Sequence, residues 1–394
     1  MSRTERPDRE EEVERIVRSA GADGAKLDVV GGGALEGYGR AREGARRLSM
    51  AGLSGVIFYA PSEMTICAQA GATIDSIEAV AAQRGQMLPF EPMRPNALWG
   101  GERAPTVGGM AATNLSGPRR VSAGAVRDSV LGLKLVSGVG QTIRCGGRVM
   151  KNVTGLDLTK LNCGANGTLG VLTEITLKLQ PKPESETTLI VDGLDEAQAI
   201  EAMTAALGSP YGVSGAAWLA AGMGDALSRT ALRIEGLAES VTHRAGRLTP
   251  RMQAFGETRA IEAAPSQALW RSIRDAEHLA EPRERAVWRV SLAPSDAPYF
   301  LLRLGATALA HGFDWGGGLV WLATDETDEA AAKVRGAIPR GKGHATLLRA
   351  SESFRMRVDV FQPPSDLELR LARGVKASFD PGGVINFGRI YAGV

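Results

Sequence analysis

Hydrophobic and polar positions follow two different periods along the 394-residue chain, and the change of period divides it. Val13, Ile16 and Val17 fall at helical spacing, predicting a helix over 10–19 that Gly21 stops. Leu27–Val30 reads as a short strand entering Gly31-Gly32-Gly33. Val56–Tyr59 and Thr65–Ala68 read as strands joined at the Pro61-Ser62 turn, and Ile74–Arg84 as a helix ending at Gly85. Strands Val130–Val136 and Gln141–Arg144 flank the turn Ser137–Gly140. Val171–Leu179 alternates apolar with polar residues, as a half-buried strand does, and Pro181 and Pro183 then mark a boundary.

Beyond that boundary strands and amphipathic helices interleave. Strands are expected at Thr187–Val191, Gly215–Leu219, Ala231–Glu235, Ala286–Leu292, Gly318–Ala323 and Ala345–Ala350. Helices are expected at Leu194–Leu207, Leu237–Leu248, Ser266–His278, Pro298–His311 and Asp328–Ala337. This order suggests a sheet covered on one face by helices. Leu367–Phe379 reads as a last helix that returns to the first domain. The fold class is α+β, with three parts at residues 1–183, 184–360 and 361–394.

Composition changes the picture only through glycine, which supplies 49 residues. Without a collagen period, that abundance points to tight turns or to backbone lying close to a ligand. Charge is nearly balanced, 46 basic residues against 44 acidic, so a nucleic-acid partner is not expected. No apolar stretch is long enough to span a bilayer. The polar first fifteen residues do not read as a secretory signal. The expected compartment is the cytoplasm, with peripheral membrane contact through partners left open. Cys67, Cys145 and Cys163 are widely spaced, as are the four histidines, so neither a metal site nor an iron–sulfur site is expected.

The glycines gather in three clusters. Gly31, Gly32, Gly33 and Ala34 follow a strand and can wrap an anion with backbone N–H groups, or simply make a tight turn. They fit neither the Rossmann fingerprint nor the P-loop. The second cluster runs from Pro105 and Thr106 through Gly108, Gly109, Ala112, Asn114 and Ser116 to Arg119 and Arg120. Its small residues can pass edge-on against a flat cofactor, and its arginines can balance a phosphate or a carboxylate. The bland alternative is an exposed loop. The third spans 151–171, with Asp157 either a helix cap or a ligand residue, and Gly164, Gly167 and Gly170 leading into Val171.

Together the three clusters resemble the PCMH-type FAD-binding domain of the vanillyl-alcohol oxidase family. The matching segments are Thr106–Asn114 and Gly164–Thr173. The resemblance implies a two-lobe FAD-binding domain with an α+β cap, and FAD contacts from the cluster residues just named and from Asn386. Within the family, Gly85–Pro92, Leu115–Arg120, Val126–Asp128, Gly147–Asp157, Gly343–Leu347 and Asn386–Tyr391 are similar to the FAD-binding subunits of bacterial glycolate oxidase complexes. That likeness implies oxidation of glycolate to glyoxylate, with electrons passed to partners: a second FAD subunit and an iron–sulfur subunit. A stand-alone FAD-dependent 2-hydroxy acid oxidoreductase and a non-catalytic FAD-fold scaffold are the alternatives. No histidine precedes His243, so the flavin is expected to be noncovalent. The chain departs from the family pattern before the first glycines, where an arginine is usual, and at Phe387, where proline is usual. For the chemistry, Arg119, Arg120, Arg127 and Arg389 are candidate carboxylate holders, with Arg389 preferred for its place in the glycine-rich tail. His344 is the candidate base, and His311 is expected at a helix C-terminus.

Overall fold

The computed structural model describes residues 4–42, 44–147, 156–223 and 225–394. Apolar cores organise these residues into two lobes and a cap.

The first lobe pairs strands Leu27–Val30 and Arg46–Ser49 in parallel beneath the helix Glu10–Ala22. That helix runs three residues past its expected end, through Gly21, because its buried face Val13, Val17 and Ala20 packs on Leu27 and Leu48. Val384 and Ile385 complete the same core, and Leu27 N–H donates to the Val384 carbonyl while Asn386 N–H donates to that of Leu27. The end of the chain is thereby built into its beginning.

The second lobe is a five-stranded antiparallel sheet in the order Val56–Ala60, Thr65–Gln69, Val171–Lys178, Val130–Val136, Thr142–Gly146. Val171–Lys178 begins with three buried residues and alternates buried with half-buried positions from Thr173 on. The helices Ile74–Ala82 and Val107–Thr113 cover it.

The cap is one eight-stranded antiparallel sheet. Its order is Thr258–Glu262, Ser185–Asp192, Arg229–Gly236, Val213–Leu219, Ala310–Asp314, Leu319–Thr324, Ala286–Leu292, Gly343–Arg349. One face carries Trp288, Val290, Val320, Leu322 and Leu347 against helices Glu196–Leu207, Ala238–Gln253, Ala297–Leu304 and Asp328–Ala337. The opposite face sets Val287, Leu319, Trp321 and Leu348 against Tyr38, Leu98 and Leu115 of the cofactor side.

Two expectations fail here. Helix 297–304 stops at Gly305, whose φ of +52° suits glycine, so His311 lies on a strand rather than at a helix end. Its Nε2 meets Glu196 Oε1 at 3.0 Å instead. Thr258–Glu262 is an additional edge strand that its weak apolar pattern conceals. Among the described residues, no helix is long and apolar enough to cross a membrane.

Candidate active site

A cleft of about 690 Å³, open to solvent, lies between the two lobes. Its first wall is the loop after Leu27–Val30. Gly33 turns this loop with φ +88°. Gly31 and Gly32 let it press on the neighbouring segment: a Cβ at Gly31 would sit 2.2 Å from Thr106 Oγ1, and one at Gly32 2.4 Å from the Ala104 carbonyl. Among the described residues, the N–H groups of Gly32, Gly33, Ala34 and Leu35 find no protein acceptor. Four consecutive free N–H groups facing a cleft form a cradle for an anion.

The opposite wall is the small-residue cluster, whose core is the helix Val107–Thr113 and not an exposed loop. Thr106 caps it, its Oγ1 accepting from Gly109 N–H at 3.3 Å. Gly108 is needed for packing, since its Cβ would sit 2.8 Å from Ala70. Gly109 faces the cleft: its Cβ would approach only Thr106 Oγ1 at 3.4 Å and Leu35 Cδ1 at 3.9 Å.

Asn386 ties the floor together. Buried to 1% exposure, it accepts from Val29 N–H at 2.9 Å and donates to the carbonyls of Asn166 and Gly167 at 3.1 and 3.2 Å. The buried Lys376 ammonium holds the tail in register. It donates to the carbonyls of Thr168 and Ile385, both at 2.6 Å, and to Asp380 at 2.7 Å. Lys376 and Asp380 carry no motif, and their role follows from tertiary packing alone. Arg42 donates to Asp28 and to Asn386 Oδ1, placing a guanidinium beside the first strand.

Of the residues singled out in sequence, Gly31, Gly32, Gly33, Ala34, Pro105, Thr106, Gly108, Gly109, Ala112, Gly167, Gly170, Asn386 and Arg389 line this cleft. Six others do not. Asn114 ends the helix at φ +54° and accepts from Arg127 N–H. Ser116 accepts from Val126 N–H. Val171 is fully buried in the first lobe's core. Asp157 is an exposed helix cap, accepting from Lys160 N–H at 3.0 Å. Arg119 is ion-paired and Arg120 stacks on an indole, as described below. Residues 148–155 of the third cluster and the Gly147–Asp157 match lie outside the described residues. Leu35, Thr113, Asn166 and Leu172 line the cleft without having been singled out.

Arg389 is engaged elsewhere than expected. Its guanidinium donates to the Tyr38 carbonyl at 3.2 Å and to that of Val29 at 3.4 Å, and lies 3.5 Å from Asp28. Burial lowers its pKa to about 10, with Arg42 adding to that effect. It fixes the loop and the tail rather than offering a free fork to a carboxylate.

His344 sits on the cap face turned toward the cofactor side and does not line the cleft. It lies opposite Ser291, two residues along from Arg289, whose direct partners are Thr346 and Trp321. Diagonal cross-strand neighbours of this kind are within reach of long side chains. Desolvation lowers the His344 pKa, and the charges of Arg289 and Arg120 lower it further. Arg289 and Arg120 both lie on Trp315, their guanidinium carbons 4.7 and 4.3 Å from its ring centroid. Trp315 holds a left-handed φ of +56°, unusual for so bulky a residue, and its indole donates to the Gly117 carbonyl at 3.0 Å. Burial pushes Asp314 up to about 7 and raises Tyr38, against the pull of neighbouring arginines.

A second arginine pair stands nearby. Arg119 donates to Glu235 through both terminal nitrogens at 2.6 and 2.7 Å, and Arg233 to Glu91 at 2.7 and 2.9 Å. Burial alone would push Glu91 up, but Arg233 and then Arg119 outweigh it and hold the carboxyl near 2. The three cysteines are buried, and desolvation pushes Cys163 up to about 12. Among the described residues, no cluster of histidine, cysteine and acidic side chains fits a metal ion.

The two lobes, the backbone cradle and the overlying sheet define a flavin-dependent oxidoreductase of the PCMH type. A family model described as an FAD binding domain matches residues 2–146. Glycolate oxidase subunit GlcE of Escherichia coli (strain K12) is 36% identical over 338 residues, 86% of this chain and 85% of that protein. D-lactate dehydrogenase of Anaerostipes hadrus is 32% identical over 168 residues, 43% of this chain and 32% of that protein. Among solved structures, an alkyldihydroxyacetonephosphate synthase shares the fold with a TM-score of 0.68 at 16% identity, covering 97% of this chain and 76% of that one. The chain belongs to the family of PCMH-type FAD-dependent oxidoreductases that includes GlcE. It is an FAD-dependent enzyme, and the flavin is bound noncovalently.

Proposed function

We propose that this protein oxidises a small 2-hydroxy acid and delivers the electrons to a separate acceptor. The observation that carries this reading is the backbone cradle of residues 32–35, which suits the pyrophosphate of FAD and opens below a cap face rich in cationic side chains. Relatives named for glycolate and D-lactate support the substrate class. Bound FAD supplies the two-electron acceptor. The chain's own residues hold the acid and take the hydroxyl proton. His344 is assigned the proton, because its lowered pKa keeps Nδ1 or Nε2 free to accept at neutral pH. Residues 1–183 and 361–394 form the cofactor unit on this reading, and 184–360 the cap.

The finer assignment is glycolate, with an iron–sulfur partner and a second FAD subunit. Two facts favour a protein partner: the extensive likeness to a protein named as a subunit, and three buried cysteines too few for a cluster of the chain's own. The test is anaerobic titration of the purified FAD-loaded chain with glycolate and with D-lactate. Bleaching of the oxidised-flavin band by either is expected. A flavin left fully oxidised by every 2-hydroxy acid tried would reject the reading. Dye reduction stimulated by co-purified partners would separate the complex from the stand-alone enzyme.

A further inference from the structure

We propose that Arg289, with Trp321 beside it and Arg120 at the mouth, forms the subsite that binds the substrate's carboxylate. This inference rests on the reading of the protein as a 2-hydroxy acid oxidoreductase, and assigns the acid-holding role to residues that no motif marks.

The first observation is a charge left unmatched. Among the described residues, neither Arg289 nor Arg120 makes a hydrogen bond to a protein acceptor or an ion pair within 4 Å, and Arg289 Nη2 is buried without a partner. Other arginines at this junction give terminal nitrogens to protein acceptors, although Nε of Arg119 and of Arg349 is also buried without one. Arg119 and Arg233 have carboxylates, Arg349 donates to four carbonyls and Arg355 to the Gly39 carbonyl. Arg289 is half-buried, and a guanidinium nitrogen buried without an acceptor is costly unless a ligand supplies one. Asp314 does not fill the role. One of its oxygens accepts from Trp315 N–H at 2.7 Å, and it makes no ion pair with Arg289.

The second observation is a second orphaned donor in the right place. Trp321 is directly opposite Arg289 in the antiparallel register, on the same sheet face, and its indole N–H is also buried without an acceptor. A carboxylate has two oxygens, and two adjacent N–H donors match it. Trp315 completes the arrangement. Stacking against its ring holds Arg289 and Arg120 without consuming their N–H groups.

The third observation ties this place to the cleft. Leu35 lines the cleft and packs in the same apolar cluster as Tyr38, Trp315 and Trp321. A carboxylate held at Arg289 sets the adjoining carbinol within the cross-strand reach of His344. Arg120, exposed where Arg289 is not, draws the anion in.

The experiment uses the FAD-loaded chain with glycolate and, as a neutral counterpart, ethylene glycol. Arg289→Gln is expected to raise the glycolate KM about 100-fold with flavin content unchanged. The response to ethylene glycol should not move, and added guanidinium should restore part of the loss. Trp321→Phe, which keeps the packing but removes the donor, should raise KM about 10-fold. If Arg289→Gln fails to retain flavin, Arg120→Gln, at an exposed position, decides. It should weaken glycolate binding several-fold and flatten the salt dependence of kcat/KM. Unchanged glycolate KM in these variants overturns the subsite, while leaving the oxidoreductase reading intact if glycolate still reduces the flavin. Arg289-dependent binding of glycolate to a protein whose flavin no 2-hydroxy acid reduces would retain the subsite and reject the oxidation.

Discussion

Arg119 and Arg120 are neighbours in sequence, yet they belong to opposite kinds of site. Arg119 is buried with Arg233 against Glu91 and Glu235, a closed set of two cations and two anions joining cofactor side to cap. Arg120 shares Trp315 with Arg289, and among the described residues no protein anion completes that pair. A fold that supplies carboxylates to Arg119 and Arg233 is able to do the same for Arg120 and Arg289. Where charge is matched internally, the group holds structure. Where it is left open at the edge of a cleft, the missing partner is a ligand. Each prediction below attacks or sharpens that division.

The largest effect should come from opening the closed set. Glu91→Ala leaves Arg233 buried at 1% exposure with one bidentate partner gone, and removes the acceptor of Arg119 N–H. Unpairing a buried ion pair costs about 3–5 kcal/mol, which urea denaturation should register. Arg120→Ala, on the open pair, should stay within about 0.5 kcal/mol. Equal losses in the two variants would erase the distinction.

Next comes Gly109→Glu. The missing Cβ at 109 points into the cleft, so a glutamate there places bulk and negative charge in the space proposed for FAD. FAD affinity should fall about 100-fold, while circular dichroism reports a native fold. Stoichiometric flavin in the folded variant would move the cofactor away from this wall.

Acid should separate the two pairs as well. Glu91 is held near 2 in the fold against an ordinary value of 4.5. A depressed carboxyl adds stability that is fully present above its unfolded pKa and is lost as pH falls through the folded one. Stability should therefore drop between about pH 4.5 and pH 2, by about 3 kcal/mol from this group. Glu91→Gln should flatten that limb, and Arg120→Gln should leave it unchanged.

The cofactor side and the cap were not equally legible in sequence. Gly31–Gly33, Thr106 and Gly109 act through backbone approach and local turns, and such chemistry leaves short, readable motifs. Arg289 and Trp321 act through register, because a strand position has meaning only once its partner strand is known. Arg119 and Arg120 show the same limit from the other side: composition cannot say which of two adjacent arginines will meet Glu235. His311 was misplaced because apolar residues continue past Gly305, where the chain leaves helix for strand. Lys376 and Asp380, four residues apart on an otherwise exposed helix, look like a surface pair until the returning tail buries them.

The smallest expected effect concerns Asp157, which motif likeness assigns to the cofactor and geometry assigns to a helix end. Its Oδ1 accepts from Lys160 N–H at 3.0 Å at the start of helix Leu158–Asn162, and its side chain is exposed outside the cleft lining. Asp157→Ala removes one capping bond, a loss of about 1 kcal/mol. If capping is its whole role, Asp157→Ser restores the lost stability and both variants keep wild-type flavin content and glycolate KM. If instead Asp157→Ala sheds flavin in a protein of undiminished stability, Asp157 belongs with the open, ligand-facing groups. The comparison would then have to be drawn by ligand contact rather than by internal charge matching, since this carboxylate already has a protein donor.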